Sequence, residues 1–366
     1  MKFQIQREDL LIPLQKIIGA VEKRQTMPAL ANILVKADKN KISLTATDLE
    51  IELVTTLNIV ADETGETTLP ARKLLDICKA LPNESSISVS VDTNKALIKS
   101  GRSRFSLSTL PAEDFPALDS INTVAEFDLP QTTLKELIDN TAFAMALQDV
   151  RYYLNGLLLE VSTGMLRAVA TDGHRQAYCE KQADCDLADI KQVIVPRKGI
   201  QELVRLLEDS SESLKMMLGS NHIRVEVGGI RFTSKLIDGR FADYNRVIPE
   251  DGNNVITAER DNLREALVWA SILSNEKYRC IRLVVENNVL LLQAQNPDQE
   301  EADVELEVDY KGDALEIGFN VNYMLDDLNV TDAVNVQAAL RDSNSSCLMT
   351  YPDHPDCKYV IMPMRL

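Results

Sequence analysis

Apolar side chains recur along this chain in a pattern that is repeated three times. Each third opens with apolar residues at the 3.6-residue period of an amphipathic helix, at residues 8–24, 132–147 and 260–273. Polar residues that can cap a helix stand near the three starts, namely Asp9, Thr132 and Asp261. The pattern therefore predicts one long first helix in each third of the chain.

Strands and a second helix follow each first helix. The segments KISLTATDLEIEL from 41, GMLRAVATDGHRQAY from 164 and NVLLLQAQNPDQEEADVEL from 288 alternate apolar and polar residues, as half-buried strands do. Pro70, Pro196 and Asn320 then introduce a second helix, and a further hairpin closes each third. The register is nearly constant, because Pro70 and Pro196 lie 126 residues apart and Pro196 and Asn320 lie 124 apart. Thr47, Thr171 and Asn296 are predicted to occupy one equivalent corner.

The repeat predicts an α+β chain of three domains, each with two helices packed on antiparallel sheets. Polar linkers place these domains at residues 1–123, 124–251 and 252–366. An ordinary three-domain α+β enzyme remains the alternative on architecture alone.

Composition is that of a globular chain, 45% hydrophobic and 26% charged. Arg7, Glu8 and Asp9 interrupt the region where a secretory signal needs an apolar run. No apolar stretch approaches the roughly 18 residues that a membrane helix requires, and we therefore expect a cytoplasmic protein. The six cysteines form no CxxC pair, which predicts buried, unreactive thiols.

The net charge of −17 hides an uneven distribution. Basic residues are concentrated in predicted helices, such as Arg72, Lys73 and Lys79, and acidic residues in strands and corners. Helices that lined one surface would make it positive within a negative protein, as contact with nucleic acid requires. Solvated helix faces with ordinary ion pairs are the alternative. The second helix of the third repeat, VNYMLDDLN, carries no basic residue.

Catalytic motifs are absent from the sequence, which has no glycine-rich phosphate loop and no GxSxG elbow. His174 in TDGHR, and His354 with Cys357 in DHPDC, lack the further ligands that a metal site needs. We therefore expect no catalytic centre, no metal and no cofactor. An enzyme that uses clustered acidic residues as metal ligands, or an acidic scaffold, remain the alternative functions.

Several long sequence segments carry information beyond the repeated architecture. They are SGRSRFSLSTLP at 100–111, QDVRYYLNG at 148–156, ATDGHR at 170–175, VPRKG at 195–199, FTSKLIDGRF at 232–241, ILSNEKYR at 272–279, NPDQEEA at 296–302, IGFNV at 317–321 and YVIMPMRL at 359–366. Together they closely resemble the bacterial DNA polymerase III beta subunit family, the sliding clamps, along the whole chain. The resemblance implies a non-catalytic processivity factor of DNA replication. It also implies a head-to-tail homodimer closed into a ring of six similar domains, with helices lining the hole.

The resemblance assigns the contact between the two copies. Phe105 and Leu107 of the first repeat would face Ile272 and Leu273 of the third. Lys73, Arg102 and Arg104 would face the acidic corner formed by Asp298, Glu300 and Glu301. Apolar residues supply affinity in such a contact, while complementary charges fix its orientation. Inward-facing strand residues are the alternative for Phe105 and Leu107.

A pocket for partner peptides is the second implied site. The matching residues are Leu154, Thr171, Gly173, His174, Arg175, Arg246, Val247, Asn320, Tyr323, Val360, Met362, Pro363, Met364, Arg365 and Leu366. Three positions depart from the family pattern: Gln176 and Asn344 replace apolar residues, and Ala242 replaces a proline. We expect these changes to alter peptide preference rather than to remove the pocket.

Contact with duplex DNA is the third implied property, without recognition of base sequence. The residues that the family turns toward the hole match Arg24, Arg72, Gln148, Arg151, Tyr152, Tyr153, Arg197 and Lys198. The implied protein partners are the polymerase III alpha subunit, the clamp loader, and other polymerases and repair proteins that carry short clamp-binding peptides. No membrane partner is implied.

Overall fold

The structure is a computed structural model that describes residues 1–22, 27–116, 118, 121–185, 187, 189–249 and 252–366. The described residues form six α-helices and 26 β-strands. The helices are α1 Arg7–Ile17, α2 Ala71–Ala80, α3 Gln131–Asp139, α4 Arg197–Val204, α5 Arg260–Ser271 and α6 Val321–Asn329. Each predicted repeat therefore contains two helices.

The first thirteen strands are β1 Lys2–Gln6, β2 Asn32–Ala37, β3 Ile42–Thr47, β4 Ile51–Leu57, β5 Ala61–Glu63, β6 Gly65–Pro70, β7 Ser86–Asp92, β8 Lys95–Ser100, β9 Ser103–Ser108, β10 Thr123–Pro130, β11 Gly156–Ser162, β12 Met165–Thr171 and β13 Arg175–Gln182. The remaining strands are β14 Lys191–Pro196, β15 Ser213–Gly219, β16 His222–Val227, β17 Ile230–Lys235, β18 Asn254–Glu259, β19 Cys280–Glu286, β20 Val289–Gln295, β21 Glu301–Glu307, β22 Asp309–Tyr310, β23 Leu315–Asn320, β24 Asn335–Leu340, β25 Cys347–Thr350 and β26 Cys357–Ile361.

Two compact units contain these elements. The first comprises Met1–Lys135 with Lys198–Leu236, and the second comprises Glu136–Arg197 with Ile237–Leu366. The first unit holds a five-stranded sheet, β5-β1-β7-β8-β9, and an eight-stranded sheet, β10-β15-β16-β17-β4-β3-β2-β6. The second holds a nine-stranded sheet, β14-β11-β12-β13-β26-β25-β24-β18-β22, and a four-stranded sheet, β21-β20-β19-β23. Paired strands among the described residues are antiparallel, so the predicted α+β class is confirmed.

Two of the sheets run across the predicted domain limits. In the first unit β17 pairs with β4, from Ile230 opposite Thr55 to Ser234 opposite Ile51. In the second unit β13 pairs with β26 over five residue pairs, from Arg175 opposite Ile361 onward. Backbone hydrogen bonds therefore join the first repeat to the second and the second to the third. The domain limits at 123 and 251 stay predictions, and residues 250 and 251 lie outside the described residues.

Each helix buries one stripe against its sheets. In α2 the buried residues are Ala71, Leu74, Leu75 and Cys78, which share one face at helical spacing. In α5 the corresponding residues are Leu263, Ala266, Leu267 and Ala270. The opposite helix faces stay exposed, and on α2 that face carries Arg72, Lys73 and Lys79. The α2 helix thus presents a charged face because its apolar stripe packs on the sheets.

The first helices are shorter than the sequence predicted. The α1 helix ends at Ile17 rather than at 24, and α3 ends at Asp139 rather than at 147. At the end of α3, Asn140 Nδ2 donates to the Glu136 carbonyl oxygen at 2.7 Å, and the Thr141 hydroxyl donates to the Leu137 carbonyl oxygen at 2.5 Å. The Thr141 hydroxyl occupies the Leu137 acceptor that the Thr141 amide would use in a continued helix, and this amide donates instead to the Ile138 carbonyl oxygen at 3.1 Å, so the regular helix ends there.

The predicted N-caps were wrong for the first helices. The α1 and α5 helices begin two residues and one residue earlier than Asp9 and Asp261, after Gln6 and Glu259, and neither preceding side chain forms a capping hydrogen bond. Asn320 does cap α6, because its side chain accepts a hydrogen bond from the Asn322 amide at 2.9 Å. Asp9 and Asp261 instead lie in the first turn, where a negative charge favours the helix dipole.

The expectation of six unpaired thiols was also wrong. Cys179 of β13 and Cys357 of β26 are directly opposite each other in the strand register and form a disulfide across 178 residues of chain. Both side chains are buried. Spacing along the chain does not reveal this pair, because only the pairing of β13 with β26 brings the two residues together. Cys78, Cys185, Cys280 and Cys347 are free, and burial raises the pKa of the Cys78 thiol to about 11.

Candidate functional site

A tight corner joins β12 to β13 at residues 171–175. The Thr171 hydroxyl donates to the Arg175 carbonyl oxygen at 2.6 Å and accepts from the Gly173 amide at 3.0 Å. The Asp172 carboxylate accepts from the amides of His174 and Arg175 at 2.9 and 3.0 Å. Short polar side chains at the start of a turn bond its backbone in this way. Local hydrogen bonds therefore fix the position of the corner.

The same corner occurs in the first repeat between β3 and β4. The Thr47 hydroxyl donates to the Ile51 carbonyl oxygen at 2.7 Å, and the Asp48 carboxylate accepts from the Ile51 amide at 2.7 Å. In the third repeat Asn296 takes the equivalent place, and its Oδ1 accepts from the Glu300 amide at 3.0 Å. The predicted equivalence of the three corners is confirmed.

Arg175 links this corner to α6. Its guanidinium donates to Asp172 Oδ2 at 3.2 Å, to Asp326 Oδ2 at 2.6 Å and to the Phe143 carbonyl oxygen at 3.0 Å. The Arg175 guanidinium carbon also lies 4.6 Å from the centre of the Tyr323 ring. Three hydrogen-bond acceptors and an aromatic ring therefore surround the Arg175 guanidinium. Arg175 therefore positions the second and third repeats relative to each other at this corner.

Arg151 lies over the same corner. Its Nε and Nη2 donate to the two Asp149 carboxylate oxygens at 3.0 and 2.9 Å, and these bonds hold the pKa of Asp149 at about 2. A Cβ added to Gly173, whose φ is +88°, would lie 2.8 Å from Arg151 Nη2. The backbone conformation therefore favours glycine at position 173, and any larger residue there would displace the end of the Arg151 side chain.

A cavity of about 110 Å³ opens at the corner. It is lined by Arg151, Tyr153, Leu154, Thr171, Gly173, Arg175, Gln176, Ala242, Val247, Val360 and Met362. Leu154 and Val360 are buried, whereas Met362 is 40% exposed. Buried apolar walls with a flexible thioether at the rim suit a short apolar side chain of a peptide.

Seven of the fifteen predicted pocket residues line this cavity, and the others lie beside it. The His174 carbonyl oxygen accepts from the Met362 amide at 2.8 Å, which ties the corner to the residue after β26. Tyr323 stacks on Arg175, and Asn320 caps α6. These three residues support the cavity rather than line it.

Residues 363–366 continue from β26 along the edge of β23. The Met364 amide donates to the Gly318 carbonyl oxygen at 2.8 Å, and a Cβ at Gly318 would lie 2.8 Å from Leu366 Cδ2. A groove of about 940 Å³ lies here, lined by Ala314, Leu315, Glu316, Gly318, Ser343, Asn344, Pro363, Met364, Arg365 and Leu366. Arg246 lines another groove, of about 510 Å³, together with Arg341 and Asn344. The predicted pocket is therefore a cavity flanked by two open grooves.

The three departures from the family pattern occupy different places. Gln176 is 2% exposed, and its Nε2 donates to the Tyr244 carbonyl oxygen at 3.1 Å, so its amide is already satisfied. Ala242 lines the cavity, and Asn344 lines the two grooves. Sequence reasoning also missed Arg151 and Tyr153 as cavity residues, although Tyr153 directly precedes the buried Leu154.

The residues predicted to contact DNA fall into two groups. Arg72 of α2, Gln148 and Tyr152 are exposed, and none of them forms an ion pair with a residue that the structure describes. Tyr152 is 75% exposed. These three side chains are available to a phosphate backbone.

The second group already has partners within the chain. Arg151 is bonded to Asp149, and Lys198 forms ion pairs with Asp48 and Glu22. Arg197 Nη1 donates to the Met145 carbonyl oxygen at 2.9 Å. Tyr153 is half-buried and packs edge-on against Phe241, with ring centres 6.4 Å apart. Arg24 lies outside the described residues.

The apolar residues predicted to join two copies lie on the edge strand β9 and directly after α5. Phe105 and Leu107 lie on β9, the last strand of the five-stranded sheet, where Phe105 is half-buried and Leu107 is 9% exposed. Ile272 directly follows α5 and is 71% exposed, and Leu273 is half-buried. Leu107 fits the alternative of an inward-facing strand residue, whereas Ile272 has no such cover.

The charged members of this set lack ion-pair partners in a single copy. Within the described ranges, none of the six forms an ion pair: Lys73, Arg102, Arg104, Asp298, Glu300 and Glu301. The acidic members are held by amides instead, because Asn296 Nδ2 donates to Glu300 at 2.6 Å and Gln295 Nε2 donates to Glu301 at 2.8 Å.

In the described part of the chain, no group of three or more His, Cys, Asp or Glu side chains could hold a metal ion. No helix there is both long and apolar enough to span a membrane.

Comparison with known proteins covers the chain from end to end. Residues 1–119, 128–243 and 245–365 match the N-terminal, central and C-terminal domains of the DNA polymerase III beta subunit. The chain is 54% identical to the beta sliding clamp of Pseudomonas aeruginosa and 50% identical to that of Escherichia coli strain K12. Both alignments span 367 residues and cover all of each chain.

Solved structures agree with these matches. A DNA polymerase sliding clamp from Pseudomonas aeruginosa with a ligand superposes with a TM-score of 0.97 at 54% identity, and all of each chain is covered. A sliding clamp of the same organism bound to griselimycin gives a TM-score of 0.96 at 54% identity, again over all of each chain. A Caulobacter crescentus clamp, with PEG bound to a putative beta-motif tethering region, gives 0.95 at 40% identity over 100% of this chain and 99% of that one.

Proposed function

Because this chain belongs to the DNA polymerase III beta subunit family, we infer that it works as a sliding clamp, which encircles duplex DNA and tethers the replicative polymerase and other DNA-processing enzymes. It is a processivity factor without catalytic activity of its own. In this proposal the ring is a head-to-tail homodimer. Such a contact joins two different surfaces of the chain, and it closes into a ring only when the rotation between the copies allows it.

One observation carries the ring contact: the chain has two edge strands of opposite charge. β9 ends the five-stranded sheet of the first unit and carries Arg104, with Arg102 just before it. β21 ends the four-stranded sheet of the second unit and carries Glu301, Asp303, Glu305 and Glu307. Edge strands present unpaired backbone groups that can pair with another chain. Pairing of β9 with β21 of another copy would satisfy both edges and bring opposite charges together.

Apolar residues near both edges would supply most of the affinity. Ile272 is exposed at the end of α5 in the third repeat, and Phe105 is half-buried on β9 of the first. Leu107 and Leu273 complete the proposed apolar centre. Charges at the rim mainly increase the association rate and fix the orientation. The six unpaired charges therefore specify which edge meets which.

DNA contact in this proposal is weak and independent of base sequence. Arg72, Gln148 and Tyr152 are the exposed members of the proposed DNA set, while Arg151, Arg197 and Lys198 already have partners in the chain. A protein that neutralises few phosphates binds weakly and depends little on salt. A closed ring holds DNA by topology, so strong affinity would only slow sliding. A net charge of −17 is compatible with this arrangement.

Partners would bind through the cavity beside Gly173 and its two flanking grooves. We propose that the polymerase III alpha subunit, the clamp loader, and other polymerases and repair proteins insert short clamp-binding peptides here. The buried Leu154 and Val360 would receive an apolar side chain, and the rim at Met362 would adapt to different peptides. The protein would act in the cytoplasm, where bacterial DNA is replicated.

Retention on DNA tests the proposal. The clamp is loaded onto nicked circular DNA by a clamp loader, and the circle is then cut once. Loss of the protein after cutting is expected, because a ring slides off a free end. Equal retention on circular and cut DNA would contradict topological binding.

A charge exchange tests the ring contact. Arg104→Glu is expected to lower the native mass from dimer to monomer, and Glu301→Arg is expected to restore the dimer in an equal mixture of the two variants. Lys99→Glu is the matched control, because Lys99 lies opposite Arg104 on the inner strand β8 and is also exposed. Dimer loss by the control equal to that of Arg104→Glu would argue against edge pairing.

A further inference from the structure

The outer face of α5 is apolar over its last turns. Val268 is 40% exposed, Trp269 is 56% exposed and Ile272 is 71% exposed. The buried residues Leu263, Ala266, Leu267 and Ala270 occupy the other face of the helix. The indole nitrogen of Trp269 has no hydrogen-bond partner among the described residues. An exposed aromatic side chain grouped with exposed aliphatic neighbours forms the kind of apolar patch that marks an interaction surface.

The apolar side chains that pack beneath α5 are incompletely covered at the edge of the four-stranded sheet. α5 packs on β20 and on the edge strand β21. Leu290, Leu292 and Ala294 of β20 are buried, and directly opposite them on β21 stand Leu306, Val304 and Ala302. These three residues face the same side of the sheet as their buried partners, yet they are only half-buried. The apolar layer therefore reaches the edge, where no described residue of the same copy completes its cover.

We propose that Trp269 is a principal apolar contact of the homodimer, packed with the open layer of β21 against the first repeat of a second copy. This proposal rests on the ring function above and adds a residue to its contact. Three observations select a second copy as the occupant. Trp269 lies one helical turn before Ile272, the open layer lies on the edge strand proposed to pair with β9, and the acidic residues of that edge complement the basic edge of the first repeat.

The chemistry of the opposing surface suits an indole ring. Arg104 lies on the proposed edge of the first repeat, Arg102 lies just before it and Lys73 is exposed on α2, all three without ion-pair partners in the described chain. A cation is attracted to the face of tryptophan, and the stem of a lysine or arginine covers apolar surface. Interfaces that form a stable assembly resemble a core cut in half, and tryptophan is enriched among the residues that dominate their affinity.

Intrinsic fluorescence tests the proposal directly, because the chain contains one tryptophan. The native mass and the tryptophan emission are measured together as the protein is diluted. In the dimer we expect a blue-shifted emission and weak quenching by acrylamide. On dissociation, or in the Arg104→Glu variant, we expect red-shifted emission and strong quenching. If the tryptophan of the dimer remains fully accessible to acrylamide, the inferred role of Trp269 is wrong, while the proposed ring still stands. A chain that is monomeric at all concentrations would instead overturn the ring.

Substitution supplies a second measurement. Trp269→Ala is expected to weaken dimerisation by about 30-fold or more, the effect of losing one dominant interface residue. Tyr278→Ala is the matched control, because Tyr278 is another aromatic residue of the third repeat and is 55% exposed. We expect the control to change the dimer dissociation constant by less than about threefold. Equal effects of the two substitutions would contradict a specific role for Trp269.

Discussion

Asp326 and Asp327, neighbours in α6, have opposite environments. Asp326 accepts a hydrogen bond from Arg175 at 2.6 Å, and the side chain of Asp326 is 45% exposed. Asp327 is 2% exposed, and its Oδ2 has no hydrogen-bond partner within the described structure. Burial raises the pKa of Asp327 well above its usual range, and the nearby Arg175 offsets only part of this effect.

Replacing Asp327 should stabilise the protein at high pH. Because the folded pKa of Asp327 is raised, the folded state binds this proton more tightly than the unfolded state does. Its contribution to stability therefore falls as pH rises above the unfolded value, 3.8. Asp327→Asn removes the ionisable group, so we expect its Tm to exceed the wild-type Tm at pH 8 and to approach it near pH 4. Thermal unfolding at several pH values measures this difference.

Asp326→Ala is the matched change and should have the opposite sign. It removes a carboxylate from Arg175, whose side chain is only 11% exposed. Loss of a hydrogen-bonded charge partner at such a site costs about 1–3 kcal/mol. We therefore expect a lower Tm at pH 8 for this variant. A lower Tm for both variants at pH 8 would contradict the assignment of Asp327.

Gly173→Ala should impair peptide binding through Arg151. The new Cβ would lie 2.8 Å from Arg151 Nη2, at the wall of the cavity. Displacement of Arg151 should weaken binding of a short peptide from the polymerase alpha subunit by about tenfold, measured by titration. Gly164→Ala is the control, because Gly164 has a similar φ of +76° with nothing within 4 Å. Both variants should lose about 1 kcal/mol of stability, but only Gly173→Ala should lose peptide affinity.

Charge reversal at equivalent positions of the second helices should show which repeat contributes more to DNA contact. By the register of Pro70 and Asn320, Arg72 of α2 corresponds to Asn322 of α6, and both are exposed. α6 carries no basic residue. We expect Arg72→Glu to reduce loading of the clamp onto circular DNA at moderate salt, and Asn322→Glu to reduce loading much less, because topology rather than charge holds the clamp once it is loaded. Equal losses would show that α6 contributes as much to DNA contact as α2 does.

The disulfide can be tested by counting thiols. Protein purified without reductant and unfolded in guanidinium should show four reactive thiols, and six after reduction. Closing a loop of 178 residues is worth up to about 5 kcal/mol in the chain-entropy description. Cys357→Ala should therefore lower the Tm of oxidised protein, and reductant should remove most of that difference. Six thiols before reduction would show that the two cysteines are not bonded.

The sequence predicted those features that depend on local chemistry. Thr47 and Thr171 form the same turn hydrogen bonds, and Asn320 caps its helix, because each acts within five residues of its own position. Helix ends were predicted less well, since α3 ends where the Thr141 hydroxyl takes the Leu137 acceptor, a side-chain bond that apolar periodicity does not reveal.

Long-range relationships could not be predicted from patterns. The approach of Arg151 to Gly173 and the pairing of Cys179 with Cys357 depend on strand register across many residues. The open apolar layer of β21 could not be predicted either, because alternation in the sequence does not distinguish a covered strand from an edge strand. The resemblance predicted the residues around the proposed peptide site, but only the structure separates those that line the cavity from those that lie beside it.

The strand pairs that cross the domain limits have a mechanical consequence. β17 with β4, and β13 with β26, join successive repeats by rows of backbone hydrogen bonds that must break together under load. The contact proposed between copies has no covalent link along the chain. A force that opens the assembly should therefore separate the two copies first and leave each polypeptide as an unbroken half. Single-molecule pulling on a tethered clamp would place the weakest joint between copies.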